Sequence, residues 1–248
     1  IALTIDNYKL SEVNMIFLCF SSKDRYEIVE SIYYHIKNIG IPVWYDRNEI
    51  LMGDDRDYKN FVEGVDSCKY AIIILSPNSI ESVCANEEID LIYNRYKTGK
   101  IYVFPVFYNI TADNIPQKYL WMKKLVYKEL NISIDSRGLC NHVICKYLLD
   151  QVKLLKYQSI NELKNLSIPF ISLIIESYSE INGNNYNARI ALLYSAVLYI
   201  KNQYRIPEYC IKGMQYLFNE TKLNLPIDLR ETIIFERLFI ISVNYILF

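Results

Sequence analysis

The sequence predicts an α/β protein in two parts, a flavodoxin-like, five-stranded parallel sheet within residues 1–155 and a small all-helical domain over 156–248. Three observations predict this. From Met15 to about Val152, short apolar runs alternate with stripes of helical period, as strands and helices wound about one parallel sheet must. One of those runs, YAIIILS, is apolar almost throughout, the mark of a strand covered on both faces. Beyond Ser159 the strand signal stops and only helical periodicity remains. At 248 residues and 52% hydrophobic content, the chain has enough apolar surface for two modest cores.

MIFLCF supplies the first strand. Asp24 to Ile39 sets Ile28, Val29, Ile32, Tyr33, Ile36 and Ile39 on one helical face, and Gly40 ends that helix. IPVWYD is the second strand. After a polar loop over Arg47–Asp57, the positions Tyr58, Phe61, Val62 and Val65 predict a short helix, and YAIIILS takes the sheet centre. A helix over Ala85–Tyr96 and the strand IYVFPVF continue the alternation, with Pro105 marking an edge position or a bulge because it has no N–H to give. A short fifth strand near LVYKEL and a helix over Leu139–Val152 close the unit. In such a sheet the loops after the strands gather at one edge, where ligands bind.

Segments 160–181, 187–204, 208–220 and 228–247 read as helices, separated by Asn-Gly-Asn-Asn at 182–185, by Pro207 and by Pro226. Their faces are rich in Tyr, Ile and Leu and carry no clustered acids or histidines. A bundle core, or a docking and oligomerisation module, is expected there rather than a catalytic group. The C-terminal run IIFERLFIISVNYILF includes Glu236 and Arg237 and falls short of the ~20 apolar residues of a membrane span, so a buried helix is expected.

Charge and cysteine usage narrow the function. With 27 Lys and Arg against 28 Asp and Glu, the net charge of −1 offers no whole-chain attraction for nucleic acid or an anionic membrane, and neither is expected as a partner. The six cysteines are spaced like free thiols of a reducing compartment, and a cytoplasmic protein is expected, with no targeting signal in the residues present. Cys140, His142 and Cys145 lack a second ligand pair, so no metal site is expected. The two histidines, His35 and His142, adjoin no nucleophile motif. No G-x-G-x-x-G and no Walker loop occurs among the 7 glycines, which excludes Rossmann and P-loop readings.

Four segments, in order, carry a resemblance: IFLCFSSKDR, GIPVWYDRNEILMGDD, SCKYAIIILSPNSIESVCANEEIDLIY and YVFPVFYNI. They resemble the strand and loop boxes of the TIR domain family in its microbial, NAD-cleaving form, over residues 13 to about 155. The third segment is the most specific. Microbial members read there as Ser-Pro-Asn, a variable stretch, then Ser, any residue, Trp, three further residues, and Glu before an apolar position. Laid without a gap from Ser76-Pro77-Asn78, that pattern sets Ser82 on the serine, Cys84 on the tryptophan, Glu88 on the glutamate and Ile89 on the apolar position. The resemblance implies Glu88 as the catalytic carboxylate and places Phe20, Ser21, Ser22, Trp44, Asp46, Ser82 and Cys84 about the substrate. Cys84 departs from the family, since a thiol cannot stack on nicotinamide as an indole does; Phe20 or Trp44 is the candidate substitute.

Breaking the nicotinamide–ribose bond builds positive charge on the sugar as the neutral base leaves, and a nearby carboxylate stabilises that charge. Glu81, Glu87 and Glu88 compete for the role. If Ala85, Ile89, Ile92 and Tyr96 face the core, a rotation of ~100° per residue sets Glu88 at the margin of that face and Glu87 nearly opposite. A solvated surface glutamate is the bland alternative.

The resemblance implies an NAD+ glycohydrolase or ADP-ribosyl cyclase that uses NAD+ as substrate and needs no cofactor. It further implies assembly through TIR–TIR contacts, an upstream sensor or downstream effector, and a place in antiviral defence by NAD depletion or a cyclic ADP-ribose signal. A non-catalytic adaptor acting by homotypic assembly is the alternative that Cys84 favours. Fold analogy alone supports a nucleoside-processing transferase.

Overall fold

A computed structural model of the chain describes residues 14–222 and 227–247. It divides into two compact units, one running to Lys37 and from Ile41 to Arg137, the other made of Asn38–Gly40 and Gly138 onward.

The first unit is built on five parallel strands, β1 (Ile16–Cys19), β2 (Val43–Trp44), β3 (Tyr70–Leu75), β4 (Tyr102–Tyr108) and β5 (Lys128–Leu130), in the order β2-β1-β3-β4-β5. This is the flavodoxin-like sheet expected from the sequence. All six residues of β3 are buried at its centre, as their unbroken hydrophobicity requires. Pro105 sits in β4 opposite Ile73 of β3. Pairing with β5 begins one residue later, at Val106, so the proline falls where β4 is still locally an edge.

The helix expected from Asp24 to Ile39 is less regular than its periodicity suggests. A tight turn over Ser22–Asp24 leads into a widened, π-type turn over Arg25–Val29, and only then does α1 (Glu30–Asn38) run on, ended by Gly40 at φ +85°. The Asp24 carboxylate is tied to Ser76 and Asn78 beyond β3, and that tether fixes the first turn to the sheet edge. After β2, the loop begins as one helical turn, α2 (Asp46–Glu49), and residues 51–58 are exposed, with Leu51 and Met52 turned outward.

Tyr58–Asp66 forms another widened turn, and its Gly64 lies directly on the stacked pair Phe17 and Trp44, whose ring centroids are 4.9 Å apart. A Cβ at Gly64 would come within 2.7 Å of Phe17 and 3.1 Å of Trp44. Gly64→Ala is therefore expected to destabilise the chain by about 1–3 kcal/mol through overpacking. Gly138→Ala, where an added Cβ meets nothing within 4 Å, should be neutral or better. Denaturant midpoints of the two variants decide the point; equal midpoints would show that the Phe17–Trp44 pair yields without cost.

Beyond β3 come α3 (Pro77–Glu81) and α4 (Val83–Lys97). The second unit holds α5 (Arg137–Val152), α6 (Pro169–Glu180), α7 (Tyr186–Ile200), α8 (Glu208–Lys222) and α9 (Leu229–Leu247). The sequence division at 155/156 groups α5 with the sheet, whereas its contacts group it with the helices. The segment read as one helix over 160–181 is two, a tight turn at Ile160–Asn165 and then α6. Pro169 explains the break, because a residue before proline avoids the helical region and Pro itself suits a first helical position. Pro226, read as a separator, lies outside the described residues. The apolar C-terminal run forms α9, buried along most of its length, and no helix among the described residues is long and apolar enough to cross a membrane.

Candidate active site

The site begins with the entry to α4. Ser82 adopts an extended conformation and its hydroxyl accepts the Ala85 N–H at 3.3 Å, so it caps the helix. Asn86 reinforces the entry by donating to the carbonyls of Ile80 and Ser82 at 2.9 and 2.7 Å. From this fixed start Ala85, Ile89 and Ile92 turn into the core and carry Glu88 with them. Glu88 is 7% exposed. Glu87, one residue earlier, points outward with its carboxylate 3.7 Å from Arg56. The periodicity thus separated the two acids correctly, but it underestimated the burial of Glu88, and the surface reading fails for that residue.

Burial dominates the chemistry of Glu88. It pushes the carboxyl up to about 8, with Asp46 and Glu87 adding to the rise, while the Cys19 thiol and Arg56 oppose it. Among the described residues no cation pairs with Glu88. Cys19, the last residue of β1, donates to the Ala85 carbonyl at 3.7 Å and also faces the Glu88 carboxyl; its single S–H proton serves one of them at a time. Cys84, one turn before Glu88, is half-buried. Its thiol is pushed up by burial and then by Glu88, with Arg56 acting in the other direction.

The loops after β1, β2 and β3 are cross-linked at this same edge. Arg25 makes a two-pronged ion pair with Asp46 at 2.9 and 2.8 Å, donates to the Tyr45 hydroxyl at 3.0 Å and lies over the ring of Phe20 at 5.2 Å. Asp24, 1% exposed, accepts from Ser76 Oγ at 2.5 Å and from Asn78 Nδ2 at 2.6 Å. Ser76 also caps α3 in a reciprocal pair with Ser79. The Ser-Lys-Asp and Ser-Pro-Asn boxes of the sequence are therefore in contact.

Of the residues named from the sequence, Asp46 and Cys84 act directly on Glu88 or its neighbourhood. Ser21 is buried and caps the turn after β1, and Ser22 is exposed beside it. Ser82 is engaged as a helix cap through one accepted N–H, which leaves its hydroxyl proton and a second lone pair for a ligand. Neither aromatic substitute for the missing tryptophan is available in this arrangement. Trp44 is 3% exposed and stacked on Phe17 within the core, and Phe20 is buried beneath Arg25. Sequence reasoning missed Cys19, Asp24, Arg25 and Arg56, whose roles depend on contacts 20 or more residues distant or on a loop without periodicity. The one available signal was an acid–base pair, Asp24-Arg25, just beyond a strand end. Among the described residues no three His, Cys, Asp or Glu side chains are grouped to hold a metal ion.

Comparison with known proteins gives a family model described as TIR domain, matching residues 16–140. The 2' cyclic ADP-D-ribose synthase BtTIR of Bacteroides thetaiotaomicron is 28% identical over 99 residues, covering 40% of this chain and 34% of that protein. The NAD(+) hydrolase TcpC of Escherichia coli O6:H1 is 28% identical over 101 residues, covering 40% of this chain and 32% of that protein. The aligned region is thus about a third of either relative. Among solved structures, the TIR domain of the Toll-related receptor TRR-2 from Hydra magnipapillata aligns with 53% of this chain and 95% of its own, at 12% identity and a TM-score of 0.42.

Proposed function

The chain belongs to the TIR domain family, and from that premise we propose that it cleaves NAD+ between nicotinamide and ribose with Glu88 as the catalytic carboxylate. One observation carries the reading: Glu88 is a nearly buried carboxyl at the carboxyl edge of a parallel sheet, with no cation paired to it among the described residues. Such a group is held ready for a cationic substrate. The bond pair of the C1'–N linkage leaves with nicotinamide as a neutral base, positive charge develops on the ribose, and the ionised carboxyl stabilises it across a water-poor contact. Water then yields ADP-ribose and a proton; an internal nitrogen or hydroxyl yields a cyclic isomer instead. Relatives of both product types support the reaction class without choosing between them. Either outcome would suit antiviral defence, by depleting NAD+ or by releasing a nucleotide signal.

Because Glu88 must ionise to act, kcat/KM for NAD+ is expected to rise with pH through about 8. The pyridinium charge of bound substrate favours the carboxylate, so kcat should rise at lower pH than kcat/KM. Nicotinamide release, followed with product mass, tests the proposal; no release at any pH between 6 and 9 would leave the adaptor reading, which the buried Trp44 and covered Phe20 favour.

Assembly belongs to the same proposal. Leu51 and Met52 are 71% and 105% exposed on the loop after β2, apolar groups that their own unit leaves uncovered. We expect specific activity to rise severalfold across a hundredfold increase in chain concentration, and Met52→Ser to flatten that rise. Constant specific activity across the dilution series would remove the assembly requirement.

A further inference from the structure

The helical unit contains a cavity of about 520 Å³, within the range of small-molecule sites. Its walls come from the turn at Ile160–Asn165, the end of α6, the approach to α7 and the middle of α9. One part of the lining is paired internally. Arg189 donates from Nε to the Tyr178 hydroxyl at 2.7 Å, from Nη1 to the Gly183 carbonyl at 2.8 Å and from Nη2 to Glu236, while Tyr178 also donates to Glu236. Glu236 is the only acid lining the cavity among the described residues, and this network uses it.

Two further cations line the same space. Lys164 and Arg237 are both half-buried. Among the described residues Arg237 makes one bond, from Nη1 to the Gln158 carbonyl at 2.6 Å, which leaves other guanidinium N–H groups to serve. Lys164 has no ion pair among the described residues. Charges taken partly out of water are ordinarily paired, and here the one acid lining the cavity among the described residues is committed to Arg189 and Tyr178. Hydroxyl and amide groups of Ser159, Asn161 and Ser179 line the remaining wall.

We propose that this cavity is a binding site for a small phosphorylated molecule, with a phosphate seated between Lys164 and Arg237. Arg supplies a forked donor and Lys a point charge, the two means by which proteins hold phosphate. Tyr178 is 6% exposed and has Arg189 over one face at 5.1 Å, so it offers little ring for stacking a base and the phosphate is what the site reads. The helical unit is then a ligand-reading module as well as a packing one, and this rests on no statement about NAD+ cleavage.

Calorimetric titration of the full chain with inorganic pyrophosphate at constant ionic strength tests the site. Saturable binding is expected, with affinity falling at least tenfold in Lys164→Gln and recovering in Lys164→Arg. The Lys164 amine holds no partner among the described residues, so the substitution removes no internal bond, and Lys153→Gln on an exposed position should change nothing. Orthophosphate should bind more weakly, and ADP no more tightly than pyrophosphate if the base is unread. Absence of saturable pyrophosphate binding overturns the proposal, and so does binding that is indifferent to Lys164→Gln.

Discussion

Glu88→Gln is expected to lower nicotinamide release from NAD+ by about 100–1,000-fold, while Glu87→Gln leaves most of the activity. The two residues are adjacent and chemically alike, so the contrast isolates position. Gln keeps the shape and much of the hydrogen bonding of Glu but cannot become negative, and only the charge stabilises a ribosyl cation. Glu88 faces the protected edge near Cys19, where a full charge acts through little water. Glu87 faces solvent beside Arg56, and a substitution there should cost no more than about 0.5 kcal/mol of stability. The deficit of Glu88→Gln should also widen with pH up to about 8, as the native carboxyl ionises and the amide does not. If Glu87→Gln is the inactive variant, the helix register and the alignment through Ser82 and Cys84 are wrong. Full activity in both variants removes Glu88 from the chemistry.

Much of this architecture was legible because it depends on local periodicity. The unbroken run at Tyr70–Leu75 marked the central strand, and the stripe Ala85, Ile89, Ile92 fixed the rotation of α4 and hence the inward direction of Glu88. What escaped was set by contacts between segments distant in sequence. Asp24 to Ile39 carries a clean helical stripe, yet the Asp24 tether to Ser76 and Asn78 accompanies a widened first turn that no periodicity encodes. Trp44 alternates correctly for a strand, but composition does not say which side of the strand Gly64 leaves open for its ring; the structure puts that ring in the core on Phe17. Arg25 and Arg56 lay in segments read for their apolar neighbours or for their polarity, and their electrostatic parts emerge only when Asp46, Cys84 and Glu87 are brought to them. The extent of Glu88 burial is a tertiary property of the same kind.

That burial has a consequence separable from catalysis: Glu88→Gln is expected to be more stable than the native chain at alkaline pH and indistinguishable from it near pH 5. The Glu88 carboxyl lies at about 8 in the folded chain against an ordinary value of 4.5. Between those limits the folded chain keeps a proton that the unfolded chain releases, so stability falls as pH rises from 4.5 to about 8 and then levels. At about 1.4 kcal/mol per pH unit, the full penalty of this one group is on the order of 4–5 kcal/mol, a large part of the stability of an ordinary domain. Gln has no proton to lose and removes the pH-dependent penalty, while at pH 5 it replaces a protonated acid of nearly the same shape. Denaturant unfolding of both proteins at pH 5, 7 and 9 should therefore show curves that start together and diverge by several kcal/mol. Native NAD+ turnover measured on the same samples would tie the costly charge to function, since a carboxyl kept against its own stability is one whose ionised form is needed. Parallel pH dependences for the two proteins would mean that water or a neighbouring cation already solvates Glu88, and the electrostatic basis for its role in the cleavage would go with them.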